Sequence, residues 1–377
     1  MSPDDDWEVV VGGFDGVATL VHLARGGQIG ESHETPHTVV ADGPHRTLRR
    51  YGTDDEVIAA VGTGRRPVLL IPPLAVSTSC YDLADGLSVV QFLLSTGRVP
   101  YVLDFGDMTR ADRHLGFADF FDDIVPGAVA ATVADFYGNA DDPAAGTSRD
   151  SAEIDLLAWS IGGTISLLTA AANPDLPVAS VVAVGTPLDY SKVPPYPLVK
   201  TLMKPVGTAP VTLALRALGG IPAPLVRLAY RGTAWQRELK KPGYILRNAD
   251  DTDALTRMKA IDRFQETMPG YPGKVSEQMW ENFIMRGELA DGVLDFGGRV
   301  VDLAEVAVPV ALFGSHRDAI VSWAAAHHGV GLLSGAPRVE FTTVETSHLG
   351  LIAGSAAVEQ TWPRIDEFLT SVHAVRR

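Results

Sequence analysis

Cysteine is almost missing from this chain: Cys80 is the single one in 377 residues. An intrachain disulfide is thereby excluded, and a reducing compartment is the expectation. With no His or Cys at a useful spacing, Cys80 itself reads as a small buried apolar residue. Basic residues are also scarce. Lys and Arg number 31 against 46 Asp and Glu, a formal net charge of −15. A phosphate-binding surface needs excess Lys and Arg, so nucleic acid is not an expected partner, and constitutive binding to anionic lipid is disfavoured. Met1-Ser2-Pro3-Asp4-Asp5-Asp6 lacks the basic start and apolar stretch of a signal peptide, which points to a cytoplasmic protein. Long apolar runs are wanting too. Leu156 to Ala172 carries no charge over 17 residues, short of the roughly 20 a membrane span needs, and a Ser-Ile-Gly-Gly turn interrupts it. No transmembrane segment is expected. The sequence has no P-loop, no Gly-x-Gly-x-x-Gly after a strand and no metal-ligand spacing; His327 and His328 are adjacent, which suits no zinc pattern. No cofactor and no metal are expected.

What the chain does have is apolar mass, 46% of its residues, and a strand–helix rhythm. Val39 to Val40 and Thr47 to Tyr51 read as a hairpin at a sheet edge. Val68 to Ile71, Val99 to Asp104, Ile154 to Trp159, Val178 to Gly185, Val310 to Gly314 and Val339 to Val344 are the following strands. Helical patterns lie over Leu87 to Ser95, Phe117 to Tyr137, Ile161 to Ala172, Trp323 to Leu333 and Ala356 to Val372. The alternation predicts an α/β fold with a mostly parallel central sheet flanked by helices. After Gly185 the rhythm breaks, and residues 187–301 are rich in Pro, Leu, Arg and aromatics. That stretch is expected to be a helical cap inserted after the sixth strand, with residues 36–186 and 302–377 forming the core. The first 35 residues are left unassigned.

Ala158-Trp159-Ser160-Ile161-Gly162-Gly163 lies between a strand and a helix, the context of the nucleophile elbow of an α/β-hydrolase. A residue at the tip of such a turn is held in a strained backbone conformation, and small neighbours let strand and helix pack closely. Ser160 is the candidate nucleophile, and the Ile161 N–H, at the helix N-terminus, is a candidate oxyanion donor. Ala158 stands where the usual box has Gly. The box therefore needs an acid and a histidine further along, in the order this fold uses.

Asp318 follows the buried strand at Val310 to Gly314, and His348 lies in the loop after the last strand. A histidine in a loop is ordinarily surface decoration, and the chain has ten. His348 is singled out because it alone follows the last strand and precedes a small residue, Gly350. In the expected mechanism His348 is the general base for Ser160, and Asp318 fixes its tautomer and stabilises the imidazolium. The second oxyanion donor in this fold comes from the loop after the third strand, here Pro72-Pro73-Leu74-Ala75-Val76, which leaves Leu74 and Ala75 both open. Asp104, ending the next strand, reads as a structural tie between loops.

With these residues placed, the chain resembles the polyhydroxyalkanoate synthase family, especially its shorter type, from about Thr35 onward. The matching stretches are Thr35-Pro36-His37, Leu70-Ile71-Pro72-Pro73 with Asp82-Leu83 and Ser88, Asp104-Phe105-Gly106, Asn248-Ala249-Asp250-Asp251, Phe296-Gly297-Gly298-Arg299-Val300-Val301-Asp302-Leu303, Asp318-Ala319-Ile320-Val321 and Thr361-Trp362-Pro363. The resemblance places the family's nucleophile, acid and base on Ser160, Asp318 and His348. One departure stands out, since the synthases carry cysteine in the elbow. The Gly-Gly usual before the base is also replaced, by Thr346-Ser347. A thiolate suits repeated chain transfer, whereas a serine ester is more stable and favours single transfer or hydrolysis. The resemblance thus implies a serine enzyme that moves an acyl or hydroxyacyl group from a thioester, on coenzyme A or a carrier protein, to a hydroxyl. Release to water, as by a thioesterase, carboxylesterase or polyester depolymerase, is the alternative. A non-catalytic granule-associated or scaffold homologue is the reading from another class. A homodimer is a further possible assembly.

Overall fold

Strands buried on both faces read as unbroken apolar runs, and alternate residues along them must serve two separate cores. The computed structural model of the protein, which describes residues 34–138, 152–233, 241, 243–248 and 251–375, is built on that division. The unassigned N-terminal segment lies outside the described residues up to position 33, as do Ala249 and Asp250. An edge hairpin, β1 (His37–Ala41) and β2 (Thr47–Tyr51), leads to helix α1 (Asp54–Gly62), β3 (Val68–Ile71), α2 (Val89–Ser95), β4 (Pro100–Asp104) and α3 (Val125–Gly138). Then come β5 (Ile154–Trp159), α4 (Ile161–Ala172) and β6 (Val178–Val184). After an insertion, the chain completes β7 (Val310–Gly314) and β8 (Val339–Thr343), with a short helix at Trp323–His327 between them and a C-terminal helix at Trp362–Val375.

The eight strands form one sheet in the order β1-β2-β4-β3-β5-β6-β7-β8. β1–β2 and β2–β4 pair antiparallel, and every later pair is parallel. This is an α/β-hydrolase fold. β5, at the centre, sends Leu156 and Ala158 into one core with β3 residues Leu69 and Ile71. Leu157 and Trp159 join the opposite core with Val68 and Leu70. α4 buries every residue from Ile161 to Ala171, which accounts for the uncharged run that continues from β5. Fully buried Ile165, Leu167 and Leu168 contribute on the order of 1.5–3 kcal/mol each. Among the described residues no helix is long and apolar enough to cross a membrane.

Three features differ from the sequence expectation. Helix α1 goes unforeseen because only Val57 and Ala60 in it are buried, so it shows little apolar period. Its signal is a capping box, Thr53 accepting from Glu56 N–H while Glu56 accepts from Thr53 N–H. The second difference lies between β6 and β7. That stretch is helical as expected, with α5 (Tyr196–Met203), α6 (Ala209–Leu218), α7 (Ala223–Thr233) and α8 (Thr252–Glu266), but it also holds two short antiparallel ribbons. Gly220–Ile221 pairs with Tyr271–Pro272, and Val293–Asp295 with Val300–Asp302. Strands of two or three residues are too short to show a period. The helix read over Trp323 to Leu333 is likewise two short pieces, broken at His328.

Candidate active site

The turn from β5 into α4 places Ser160 at φ 53° and ψ −129°, one of two non-glycine residues with positive φ among those described. Such a conformation costs a β-carbon-bearing residue of order 1–3 kcal/mol, and it persists where surrounding contacts enforce it. Here the Ser160 N–H donates to Val184 O at 2.8 Å and its carbonyl accepts from Gly163 N at 2.9 Å. Both neighbouring glycines are in close contact. A β-carbon on Gly162 would lie 2.4 Å from Ile71 O and 2.8 Å from Pro72 O; one on Gly163 would lie 2.0 Å from Thr186 Oγ1. Their hydrogen side chains let the start of α4 press against the loop leaving β3 and the loop leaving β6.

That contact sets the surroundings of the two candidate oxyanion donors. Ile161 is the first residue of α4, where the backbone N–H has no carbonyl within the helix to bond. Leu74 and Ala75 are the central residues of a turn closed by Val76 N–H to Pro73 O at 3.2 Å. Both are nearly fully buried, and the turn's hydrogen bond uses neither of their N–H groups.

The carboxyl ends of β7 and β8 bring Asp318 and His348 together. His348 Nδ1 and Asp318 Oδ2 are 2.6 Å apart, with both side chains at most 5% exposed. The other carboxylate oxygen accepts from Ile320 N–H and Val321 N–H, each at 2.8 Å. Two backbone donors hold Asp318 as an acceptor, and an ionised carboxylate facing Nδ1 assigns the proton to that nitrogen and leaves Nε2 as the basic one. The imidazole packs on Trp159, centroids 5.0 Å apart, and a β-carbon on Gly185 would meet its Cε1 at 3.2 Å. His348 thus lies against the residue preceding Ser160 and the residue following Val184. Ser160 is partly exposed, and its hydroxyl has no hydrogen-bond partner among the described residues.

Two residues at the site gave no signal in the sequence. Ser315, fully buried, donates to Thr346 O at 2.7 Å and accepts from Thr346 N–H and Arg317 N–H at 3.0 Å. It fastens the acid-bearing loop to the base-bearing loop, and a lone Ser beside a strand end has no pattern to reveal it. Trp159 is the other. A strand-end indole reads as core, and core it is, but its N–H donates to His348 O at 3.2 Å. Asp104 does act as a structural tie: it pairs with Arg49 of β2 at 2.5 Å and accepts from Gly106 N–H at 2.8 Å. Cys80 is fully buried, and burial pushes its thiol well above the ordinary value.

Comparison with known proteins extends the reading from geometry to kinship. No protein-family model matches the chain. The poly(3-hydroxyalkanoate) polymerase subunit PhaC of Allochromatium vinosum is 24% identical over 304 residues, 80% of each chain. The corresponding subunit of Thiocystis violacea is 23% identical over 336 residues, 89% of this chain and 88% of its own. The chain is similar to polyhydroxyalkanoate synthases over most of its length. Among solved structures, a monoacylglycerol lipase from Paleococcus ferrophilus is 15% identical with a TM-score of 0.49, covering 87% of this chain and 99% of its own. As a synthase-like α/β-hydrolase, the protein is an enzyme of the acyltransferase or ester-hydrolase type.

Proposed function

We propose that this synthase-like enzyme transfers an acyl or hydroxyacyl group from a thioester, on coenzyme A or a carrier protein, to a hydroxyl acceptor by way of an ester on Ser160. The observation that carries the proposal is Ser160 held at φ 53° beside a buried, 2.6 Å Asp318–His348 pair. In the first half-reaction His348 Nε2 takes the Ser160 proton as Oγ bonds to the thioester carbon. The resulting oxyanion is met by the Ile161 N–H and by Leu74 or Ala75. The carbon–sulfur bond then breaks, and the proton on His348 passes to the departing thiol. In the second half-reaction the acceptor hydroxyl gives its proton to His348 and attacks the ester, and Ser160 takes that proton back as it leaves. Asp318 stays ionised throughout and holds the imidazole orientation.

A second reading has water as the acceptor, and the elbow residue is what favours it. Serine holds the acyl group as an oxygen ester of lower transfer potential than a thioester, so discharge to water competes with passing a growing chain onward. The helical insertion between β6 and β7 is proposed to act as the cap that restricts water and shapes the acyl site.

The test is incubation of the purified protein with a hydroxyacyl-coenzyme A, with and without an alcohol. Free thiol release is followed and the products are weighed by mass spectrometry. Transfer predicts an ester product that grows with alcohol concentration; hydrolysis predicts free acid at a rate indifferent to it. A Ser160→Ala variant is expected to lose roughly 10⁶ in kcat, the cost of a lost nucleophile in a comparable triad. Absence of fluorophosphonate labelling at Ser160 would instead favour a non-catalytic homologue.

A further inference from the structure

The residue before the nucleophile is an indole where the elbow itself asks for nothing aromatic. Trp159 is fully buried at the end of β5, and its ring lies 5.0 Å from the His348 imidazole with 33° between the planes. A buried indole N–H needs an acceptor. The one it uses is the main-chain carbonyl of His348 itself, at 3.2 Å. Trp159 therefore holds the base twice, by ring contact and by its backbone. On its other contacts the indole reaches the insertion. Phe264 of α8, 2% exposed, has its ring 6.3 Å from that of Trp159, and Tyr230 of α7 meets Phe264 edge-on at 6.4 Å. Phe264 and Met268 share one buried cluster with Trp159, Leu349 and Leu351. Four rings, Tyr230, Phe264, Trp159 and His348, thus run without a break from two helices of the insertion to the base.

We propose that Trp159 and Phe264 are positioning residues that tie the insertion to His348, so that a displacement of α8 is felt as a displacement of the imidazole. The inference rests on the serine acyl-transfer reading, in which His348 is the base. Close-packed interiors transmit such shifts, because a ring cannot move without its neighbours giving way. An acyl group that engages the insertion then changes kcat as well as KM, which sets this arrangement apart from a passive lid.

The proposal is tested on the full chain with Trp159→Phe, Phe264→Leu and the double variant, a cycle that isolates the coupling. The readouts are kcat and KM on an acyl thioester, the rate of fluorophosphonate labelling of Ser160, and the downfield proton resonance of the His348–Asp318 hydrogen bond. Trp159→Phe is expected to lower kcat and labelling about tenfold with KM changed less than about twofold, a plausible cost for a sub-ångström misplacement of the base. Phe264→Leu should lower both about threefold, and the double variant should fall no further than Trp159→Phe alone. Both single variants should shift the downfield proton. Multiplying effects in the double variant, or a proton resonance unmoved by Phe264→Leu, would overturn the coupling. If the wild-type serine resists labelling, the acyl-transfer reading falls first, and the resonance still decides whether Phe264 reaches the base.

Discussion

Gly162→Ala puts the junction between the elbow helix and the β3 loop to the most direct test. The added β-carbon would lie 2.4 Å from Ile71 O and 2.8 Å from Pro72 O, where real contacts stay beyond 3.0 Å. Both obstacles are backbone atoms at the end of a central strand, so neither can swing aside. The start of α4 and the loop bearing Leu74 and Ala75 must then separate by at least about 0.6 Å. Overpacking of this kind costs about 1–3 kcal/mol, and alanine returns up to about 1 kcal/mol through its helix propensity. The expected net loss is about 1–2 kcal/mol of stability. Activity should suffer more. Loss of one oxyanion donor costs about 10²–10³ in kcat, and the shift pulls two proposed donors apart, so a loss of about a hundredfold is expected. Gly163→Ala is the internal comparison, because its β-carbon meets a side chain, Thr186 Oγ1, which is buried and lacks a hydrogen-bond partner among the described residues. Adding Thr186→Ala should restore much of the stability lost in Gly163→Ala. Thermal unfolding and the fluorophosphonate labelling rate of Ser160 read both arms. A Gly162→Ala enzyme with wild-type labelling and wild-type Tm would refute the placement of the oxyanion donors at this junction.

Ser315→Ala removes the hydroxyl that bonds the Thr346 carbonyl, Thr346 N–H and Arg317 N–H, while Thr346 N–H keeps Val344 O, so we expect about 1–2 kcal/mol of destabilisation by urea titration and a kcat loss exceeding any change in KM. For Asp189, burial works against ionisation, but bonds from Ser191 and Lys192 outweigh it and hold the carboxyl below its ordinary 3.8. Its contribution to stability is therefore full above that value and lost as pH falls through the depressed one. Asp189→Asn should be less stable than wild type at neutral pH and approach it on acidification, as read by Tm across a pH series. Because Cys80 is fully buried with a raised thiol pKa, native wild-type protein should resist iodoacetamide while Ser160→Cys takes up one label, checked by intact mass. If the surrounding site remains that of a synthase, that same variant should move products from free acid toward acyl transfer to alcohol.

The strands were legible because burial on both faces leaves its mark residue by residue. Val68 to Ile71, Ile154 to Trp159 and Val310 to Gly314 have the bounds read from their apolar runs. The positions of Ser160, Asp318 and His348 were legible for the same reason, since each follows a strand whose end the sequence marks with small or polar residues. What stayed hidden depends on contacts across the chain. Nothing local announces that Ser315 reaches Thr346, 31 residues on, or that the glycine pair exists to admit Ile71 O and Thr186. The insertion resisted for a different reason. Leu198 and Leu202, one helical turn apart on α5, are both more than 60% exposed, so its apolar stripes do not all mark the core.

The chain distance between elbow and base has a consequence in time. Trp159 and His348 lie 189 positions apart, and the whole insertion is synthesised between them. At roughly 5–20 residues per second, a ribosome needs on the order of ten to forty seconds to cover that interval. Throughout it the nascent protein has Ser160 but neither Asp318 nor His348, so on the proposed mechanism it lacks the base that would activate the serine. In that reading competence arrives only with the last two strands, and reactivity is a property of the finished chain.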